Sequence, residues 1–376
     1  MAEAPPTGLP LAGMVVLDLS RMLPGAVLAR QLLDLGARLI KVEEPGLGDP
    51  MRLVPPLVGG VGVGYAALLR GAESAALDLR DPRDLERVRA VAGRADVLVE
   101  SFRPGTMERW GLGWDELSSA NPRLVWCSLS SYGQTPAVAA RIGHDLNFIA
   151  ESGALRELCE AGVPGLQLAD VAGGLLAGSA LLAALLDRER RGRGRCIDQP
   201  LAAAPLPFLT WAWAEVAAGG AGARQQLLSG RCPCYRCYAC GDGAEIAVAA
   251  LEPKFWAMLV EALGVPELAA AGWDAGEEGA DAAARLSSIF GERPREHWLA
   301  LAAERGLPIS PVHTVAEAHA AGTLAAAGLL EATPAPGGGS FASPGPFLPD
   351  LGRTPAAPVG PVGEHTLRIL AEFGIP

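Results

Sequence analysis

The chain has no glycine-rich phosphate loop of the Walker kind, no dinucleotide fingerprint after its first apolar run, and no Gly-Xaa-Ser-Xaa-Gly elbow. Those gaps exclude the common nucleotide-hydrolysing, hydride-transferring and α/β-hydrolase designs, which depend on these loops to hold phosphates or raise a serine. Positive charge is also short: 31 Lys and Arg face 42 Asp and Glu, a net charge of -11, and no basic stripe runs along the chain. A nucleic-acid surface is not expected, because duplex binding depends on cations that neutralise phosphates. The opening MAEAPPTGLPLAGMVVLDLS has no basic segment ahead of its apolar stretch, and Met14 to Leu19 is too short to span a bilayer, so we expect a cytoplasmic protein with no membrane partner. Seven cysteines, an odd number, fit reduced thiols better than a disulfide framework.

Half of the residues are hydrophobic and 19% are charged, a globular balance, and 376 residues suit about two domains at roughly 150 each. MVVLDLS reads as a buried strand, AVLARQLLDLGA as a helix and RLIKVEEP as a second strand closed by Pro45. Such a βαβ order implies parallel strands joined by a right-handed crossover. ADVLVES and RLVWCSLSSYG repeat the rhythm after the helices DPRDLERVRAVAGR and WDELSSAN. The expected fold is α/β: a large Rossmann-like open parallel sheet with a smaller α/β domain.

The apolar run from Val171 to Arg190 ends in charged residues and reads as a buried packing helix rather than a membrane span. GGAGARQQLLSG reads as a flexible linker. After it, PCYRCYACGDGAEIAVAAL is a hairpin turning at Gly241-Asp242-Gly243, and helices are expected around Pro253–Leu263 and within Ala283–Arg305. The stretch PAPGGGSFASPGPFLPDLGRTPAAPVGPVG reads as extended surface coil, with EHTLRILAEFG as a last helix. The domains this implies are 1–200, a linker at 201–229, a small domain at 230–325, and a return segment at 326–376 that completes the first.

Three residues could carry proton or acyl chemistry. His144 follows Gly143 at an element boundary; it is either a proton carrier or a helix cap. Asp170 stands at the start of the long apolar helix, where it is either an N-cap or a partly buried acid, base or nucleophile. Glu252 ends a strand before Pro253, with the same choice between a helix-end charge and a catalytic one. Cys232, Cys234, Cys237 and Cys240 have the density of a metal site, but on a strand Cys234 and Cys240 share one face while Cys237 faces the other. They are expected to be ordinary small residues, with no metal.

LAGMVVLDLSRMLPGAVLARQLLDLGARLIKVEEPGLGDPMR, ADVLVESFRPGTMERWGLGWDEL, SLSSYGQT, GHDLNFIAESGAL, GLPISPV and GEHTLRIL together resemble the family III CoA-transferases, a superfamily that includes the α-methylacyl-CoA racemases. The resemblance spans nearly the whole chain and is nearer to the racemase branch. It implies catalytic roles for His144, Asp170 and Glu252, with Arg109, Tyr235, Asp145 and Asn147 in support. It also implies CoA contacts from Arg38, Lys41, Arg70 and Arg103, an interlocked homodimer, and no cofactor beyond the CoA of an acyl-CoA substrate.

The activity implied is racemisation of 2-methylacyl-CoA through an enolate, with proton transfer on opposite faces of the α-carbon. The alternative is CoA transfer between carboxylic acids with Asp170 as nucleophile. The family's basic run Asn-Arg-Xaa-Lys-(Lys/Arg)-Ser is here Leu69-Arg70-Gly71-Ala72-Glu73-Ser74. Each lost phosphate contact costs on the order of 1.5–3 kcal/mol, so a second alternative is a homologue that binds a non-CoA thioester such as an acyl carrier protein. Ala169 also replaces the glycine usual before the reactive aspartate, and Gly230-Arg231-Cys232-Pro233-Cys234-Tyr235 replaces the racemases' Gly-Gly-Ala-Pro-Tyr-Tyr.

Overall fold

A computed structural model describes residues 8–159, 161–220, 222–353, 355 and 357–376. The first seven residues, on which part of the leader expectation rests, lie outside the described residues. The chain forms two compact units, 1–207 with 327–376 and 208–326.

The first unit is built on a six-stranded sheet: β1 Val15–Asp18, β2 Arg38–Glu43, β3 Glu73–Ala76, β4 Val97–Glu100, β5 Val125–Ser130 and β6 Cys196–Pro200. Their spatial order is β3-β2-β1-β4-β5-β6, and every pairing is parallel. This is the doubly wound arrangement, whose strand order reverses beside β1. β4 and β5 are buried at every residue, as strands covered on both faces must be, and are mostly apolar apart from Glu100, Ser128 and Ser130. β3 begins at Glu73, inside the altered run 69–74, and ends at Ala76.

The connecting helices include α1 Met22–Asp34, α2 Pro82–Ala92, α3 Trp114–Ala120, α4 Asp145–Ser152 and α5 Leu168–Arg191. α5 is long and apolar enough to cross a membrane by length and composition, and half of that window is buried. It packs on α1. Glycine makes the approach possible: a Cβ at Gly174 would meet the Pro24 carbonyl oxygen at 2.6 Å and one at Gly178 would meet the Gln31 amide at 2.5 Å. Gln31 instead donates to the Gly174 carbonyl at 3.0 Å.

The second unit holds a three-stranded antiparallel sheet in which β8 Glu245–Ala249 lies between β7 Tyr235–Ala239 and β9 Ile309–Pro311. Helices Pro253–Ala262, Glu277–Phe290 and Arg295–Arg305 accompany it, with Trp256, Phe290 and Trp298 in the core. Cys232 and Cys234 in the turn before β7 and Cys240 just after it are buried there, while Cys237 within β7 is exposed. No group of three or more candidate metal ligands occurs among the described residues.

Two local expectations need correction. The segment read as a flexible linker contains a helix, Ala223–Leu228, because ARQQLL consists of good helix formers once Gly222 supplies a left-handed entry at φ 81°. The Pro- and Gly-rich coil begins with the hairpin Leu330–Pro334 and Ser340–Pro344, which turns through Gly337, Gly338 and Gly339, all with positive φ.

Candidate active site at the strand ends

The carboxyl ends of the strands around the β1/β4 reversal open into two clefts. The first, of about 330 Å³, is lined by Leu19 and Arg21 after β1, Val42 to Glu44 at the end of β2, Leu77 to Arg80 after β3, and Phe102, Arg103 and Trp110 after β4. The second, of about 390 Å³, shares Phe102 and Arg103 and adds Arg109, Tyr132 and Arg141. Ligands of doubly wound sheets bind at this edge because the connections diverge there and leave a crevice.

The loop between the clefts is held from below by Glu100. Its carboxylate accepts the Phe102 N–H at 2.7 Å. Burial pushes the Glu100 pKa up to about 7, helped by the Glu108 and Asp198 charges and opposed by hydrogen bonds from Ser128 and the Phe102 amide. The Phe102 ring meets Trp110 edge to face at 5.0 Å, and the Arg21 guanidinium lies 5.7 Å from its centre.

Cations along this rim differ in their partners: Arg80 pairs with Asp78 at 2.8 Å and Glu44 at 2.9 Å, and Arg141 pairs with Glu151. Arg103 is exposed and its side chain has no hydrogen-bond or ion-pair partner among the described residues, while Arg109 donates to Thr106 at 2.8 Å. Three other cations expected to contact CoA are occupied elsewhere. Lys41, 2% exposed, pairs with Asp18 at 3.1 Å and Asp49 at 3.5 Å. Arg70, fully buried, donates to Thr333 and, at 2.9 Å, to Ser343 on the return hairpin. Arg38 bridges Glu73 at 2.9 Å and Glu372. These placements give the three residues structural work; a ligand would reach Lys41 or Arg70 only by breaking the interior.

His144, Asp145 and Asp170 come together beside this rim. His144 occupies the N-cap position of α4, is exposed, and donates its backbone N–H to the Asn147 side chain at 3.0 Å. The next residue, Asp145, is buried and accepts the backbone N–H of Asp170 at 3.0 Å. Asp170 therefore lies inside the first turn of α5, two residues past Leu168, and is not its N-cap; that position belongs to Gln167. Gln167 donates to the Asp170 carboxylate at 2.9 Å. Burial and then the Asp145 charge push the Asp170 pKa up to about 6, against the pull of Gln167 and His144.

Glu252 and Tyr235 belong to the second unit. Glu252 is exposed at the N-cap of helix Pro253–Ala262, with no side-chain cap bond. Tyr235 starts β7, opposite Ala249. Both lie near the same end of the hairpin.

Sequence reasoning did not single out Arg21, Glu100 or Gln167. Gln167 carried a local signal, an amide three residues before an acid at a helix start. Arg21 and Glu100 carried only their positions after strands, and their neighbours come from distant segments.

The pattern of CoA-transferase family III matches residues 11–366. The human protein α-methylacyl-CoA racemase is 31% identical over 97% of this chain and 93% of its own length. Mouse succinyl-CoA:glutarate CoA-transferase is also 31% identical, over 96% of this chain and 86% of its own length. The crystal structure of a CAIB/BAIF family protein from Brucella suis superimposes with a TM-score of 0.80 at 29% identity, covering 97% of this chain and all of that one. The chain belongs to CoA-transferase family III, and it is an enzyme.

Proposed function

We propose that the protein racemises or epimerises 2-methylacyl-CoA thioesters by moving the α-proton through an enolate. The observation that carries this reading is the junction of α4 and α5, where Asp145, next to His144, accepts the Asp170 N–H at 3.0 Å and the Asp170 carboxyl is held at about 6. A reaction that takes a proton from one face and returns one to the other needs a group on each side, and each must exchange a proton readily near neutral pH. An Asp170 carboxyl with a raised pKa serves in both directions, and an exposed imidazole supplies the second group. Glu252 is proposed as a further catalytic residue and Tyr235 as a supporting one, both carried by the second unit.

The enolate oxygen requires donors. Asp145 already takes the Asp170 amide, which leaves the α5 amides of Leu168 and Ala169 as the helix-end donors for that charge.

For the CoA moiety, Arg21, Arg103 and Arg109 along the two clefts replace the contacts that Ala72 and Glu73 have lost. Phe102 and Trp110 present aromatic surface for a base. These rim cations favour a CoA thioester over a carrier-protein thioester.

A homodimer fits the apolar surface of helix Thr210–Ala217, which buries none of its residues, with Phe208, Trp211, Trp213 and Val216 all more than half exposed. Seven free cysteines fit a cytoplasmic location.

The second reading is CoA transfer, in which the Asp170 carboxylate attacks the thioester carbonyl and expels CoA thiolate to form a mixed anhydride, and the thiolate then attacks the aspartyl carbonyl, releasing the first acid and leaving an aspartyl-CoA thioester that passes CoA to a second acid. It is favoured by the equal identity to a transferase and by the same Asp170. Incubation with a 2-methylacyl-CoA in deuterated water separates the two. Exchange of the α-hydrogen without an acceptor acid supports racemisation, and an aspartyl thioester trapped by hydroxylamine without exchange supports transfer.

A further inference from the structure

On the approach to His144, Arg141 lies with its guanidinium 3.7 Å from the centre of the Tyr132 ring. The same guanidinium pairs with Glu151, near the far end of α4, and the Tyr132 hydroxyl donates to that carboxylate at 3.2 Å. The Tyr132 ring meets Phe148 of α4 edge to face at 5.3 Å, with Phe148 fully enclosed. Gly143 fills the gap: a Cβ there would lie 2.8 Å from the Phe148 ring and 2.9 Å from Tyr132. The loop after β5, the segment 141–143 and both ends of α4 are thus tied into one closed unit.

Its output is His144. The segment held by Arg141 and Gly143 runs directly into His144, whose N–H is fixed by Asn147, and then into Asp145, which holds the Asp170 backbone. Its other face is the second cleft, which Tyr132 and Arg141 both line. Arg141 and Glu151 are half exposed, so a surface ion pair here contributes little to stability, at most about 1 kcal/mol. A guanidinium sandwiched between a ring and a carboxylate does restrict geometry, because its planar fork permits few orientations.

We propose that Tyr132, Arg141 and Glu151 form a clamp that positions His144 against Asp170, with Glu151 a positioning residue for proton transfer. This rests on the racemase reading for its kinetic consequence, but the clamp itself can be read without turnover. In full-length protein, Glu151→Gln should lower kcat for α-hydrogen exchange of a 2-methylacyl-CoA roughly 10- to 100-fold, as a small misplacement of a reacting group does, while KM stays nearly constant. Glu151→Asp should recover part of the loss.

The second readout is carboxyl NMR of Asp170. His144→Ala should raise the Asp170 pKa in the otherwise native protein, and this step should shrink in the Glu151→Gln background. Gly143→Ala, which pushes the segment off Tyr132 and Phe148, provides an independent disturbance and should shrink the step in the same way. A shrunken step in a protein that exchanges no α-hydrogen upholds the clamp and removes the racemase reading. An unchanged step and unchanged kcat in both variants, at matched melting temperature, overturn the clamp.

Discussion

The cations of the first unit fall into two regions that chemistry alone does not separate. Lys41, Arg70 and Arg38 lie among the strands and the return segment and are engaged by Asp18, Thr333, Ser343, Glu73 and Glu372. Arg21, Arg103 and Arg109 stand on the rim of the strand ends with few partners or none. Inside, a cation holds the fold and must have a counter-charge, because its desolvation is otherwise uncompensated. At the rim it keeps its charge available for a ligand. A basic residue in a sequence is therefore a binding residue only where the fold leaves it unpaired.

Lys41→Met should show the largest stability effect. It leaves Asp18 and Asp49 facing each other in the interior, and a loss of about 3–5 kcal/mol in denaturant unfolding is expected, as for other broken buried pairs. CoA affinity of the surviving folded protein should stay near the native value, and a large selective loss of affinity instead would erase the distinction between the two regions.

Glu100→Gln tests the rim from beneath. Its carboxyl pKa is raised from 4.5 to about 7, so the native state holds a proton that the unfolded chain has released, and native stability falls as pH rises through that window. The amide variant is spared this loss and should be more stable above pH 7, by up to about 3 kcal/mol. Thermal melts at pH 5 and pH 8 measure the difference, and equal gains at both would contradict a buried titrating acid.

Arg103→Ala is the opposite case to Lys41→Met. With no side-chain partner to lose among the described residues, it should leave the melting temperature unchanged and raise KM for acyl-CoA by about 10-fold or more, the loss of one charge-assisted phosphate contact. Unchanged KM would remove Arg103 from the rim site.

The smallest expected effect is a change of shape in the pH profile. The kcat/KM of racemisation should show an ionisation near 6 from Asp170 in the free enzyme. Asp145→Asn removes the second of the causes that raise it and should move that limb towards lower pH. An unmoved limb assigns the ionisation to another group.

Much of the fold could be read from the chain because its signals are local. Val97–Glu100 and Val125–Ser130 are rich in β-branched and apolar residues, and turn residues follow them. The site was legible only in part. His144, Asp145 and Asn147 are neighbours in sequence, but Asp145 reaching across 25 residues to the Asp170 amide is a packing result. The N-cap reading of Asp170 failed because α5 starts at Leu168, three residues before the first apolar position that marked it.

By itself, the sequence determined the parallel α/β order, the acidic balance, the family, and the presence of a histidine and an aspartate suited to proton transfer. The strand order and the charge balance depend on composition and short-range periodicity, and the family on motifs in a fixed order, all of which the chain carries wherever it folds. Only the tertiary structure decided which charges are available. Pairing depends on distance in space, and it placed Glu73 beside Arg38, Lys41 between Asp18 and Asp49, and Arg103 beside two clefts without a partner among the described residues. It also decided that Asp170 holds its proton nearer to neutrality than a carboxyl in water, because burial and the Asp145 charge act on it together.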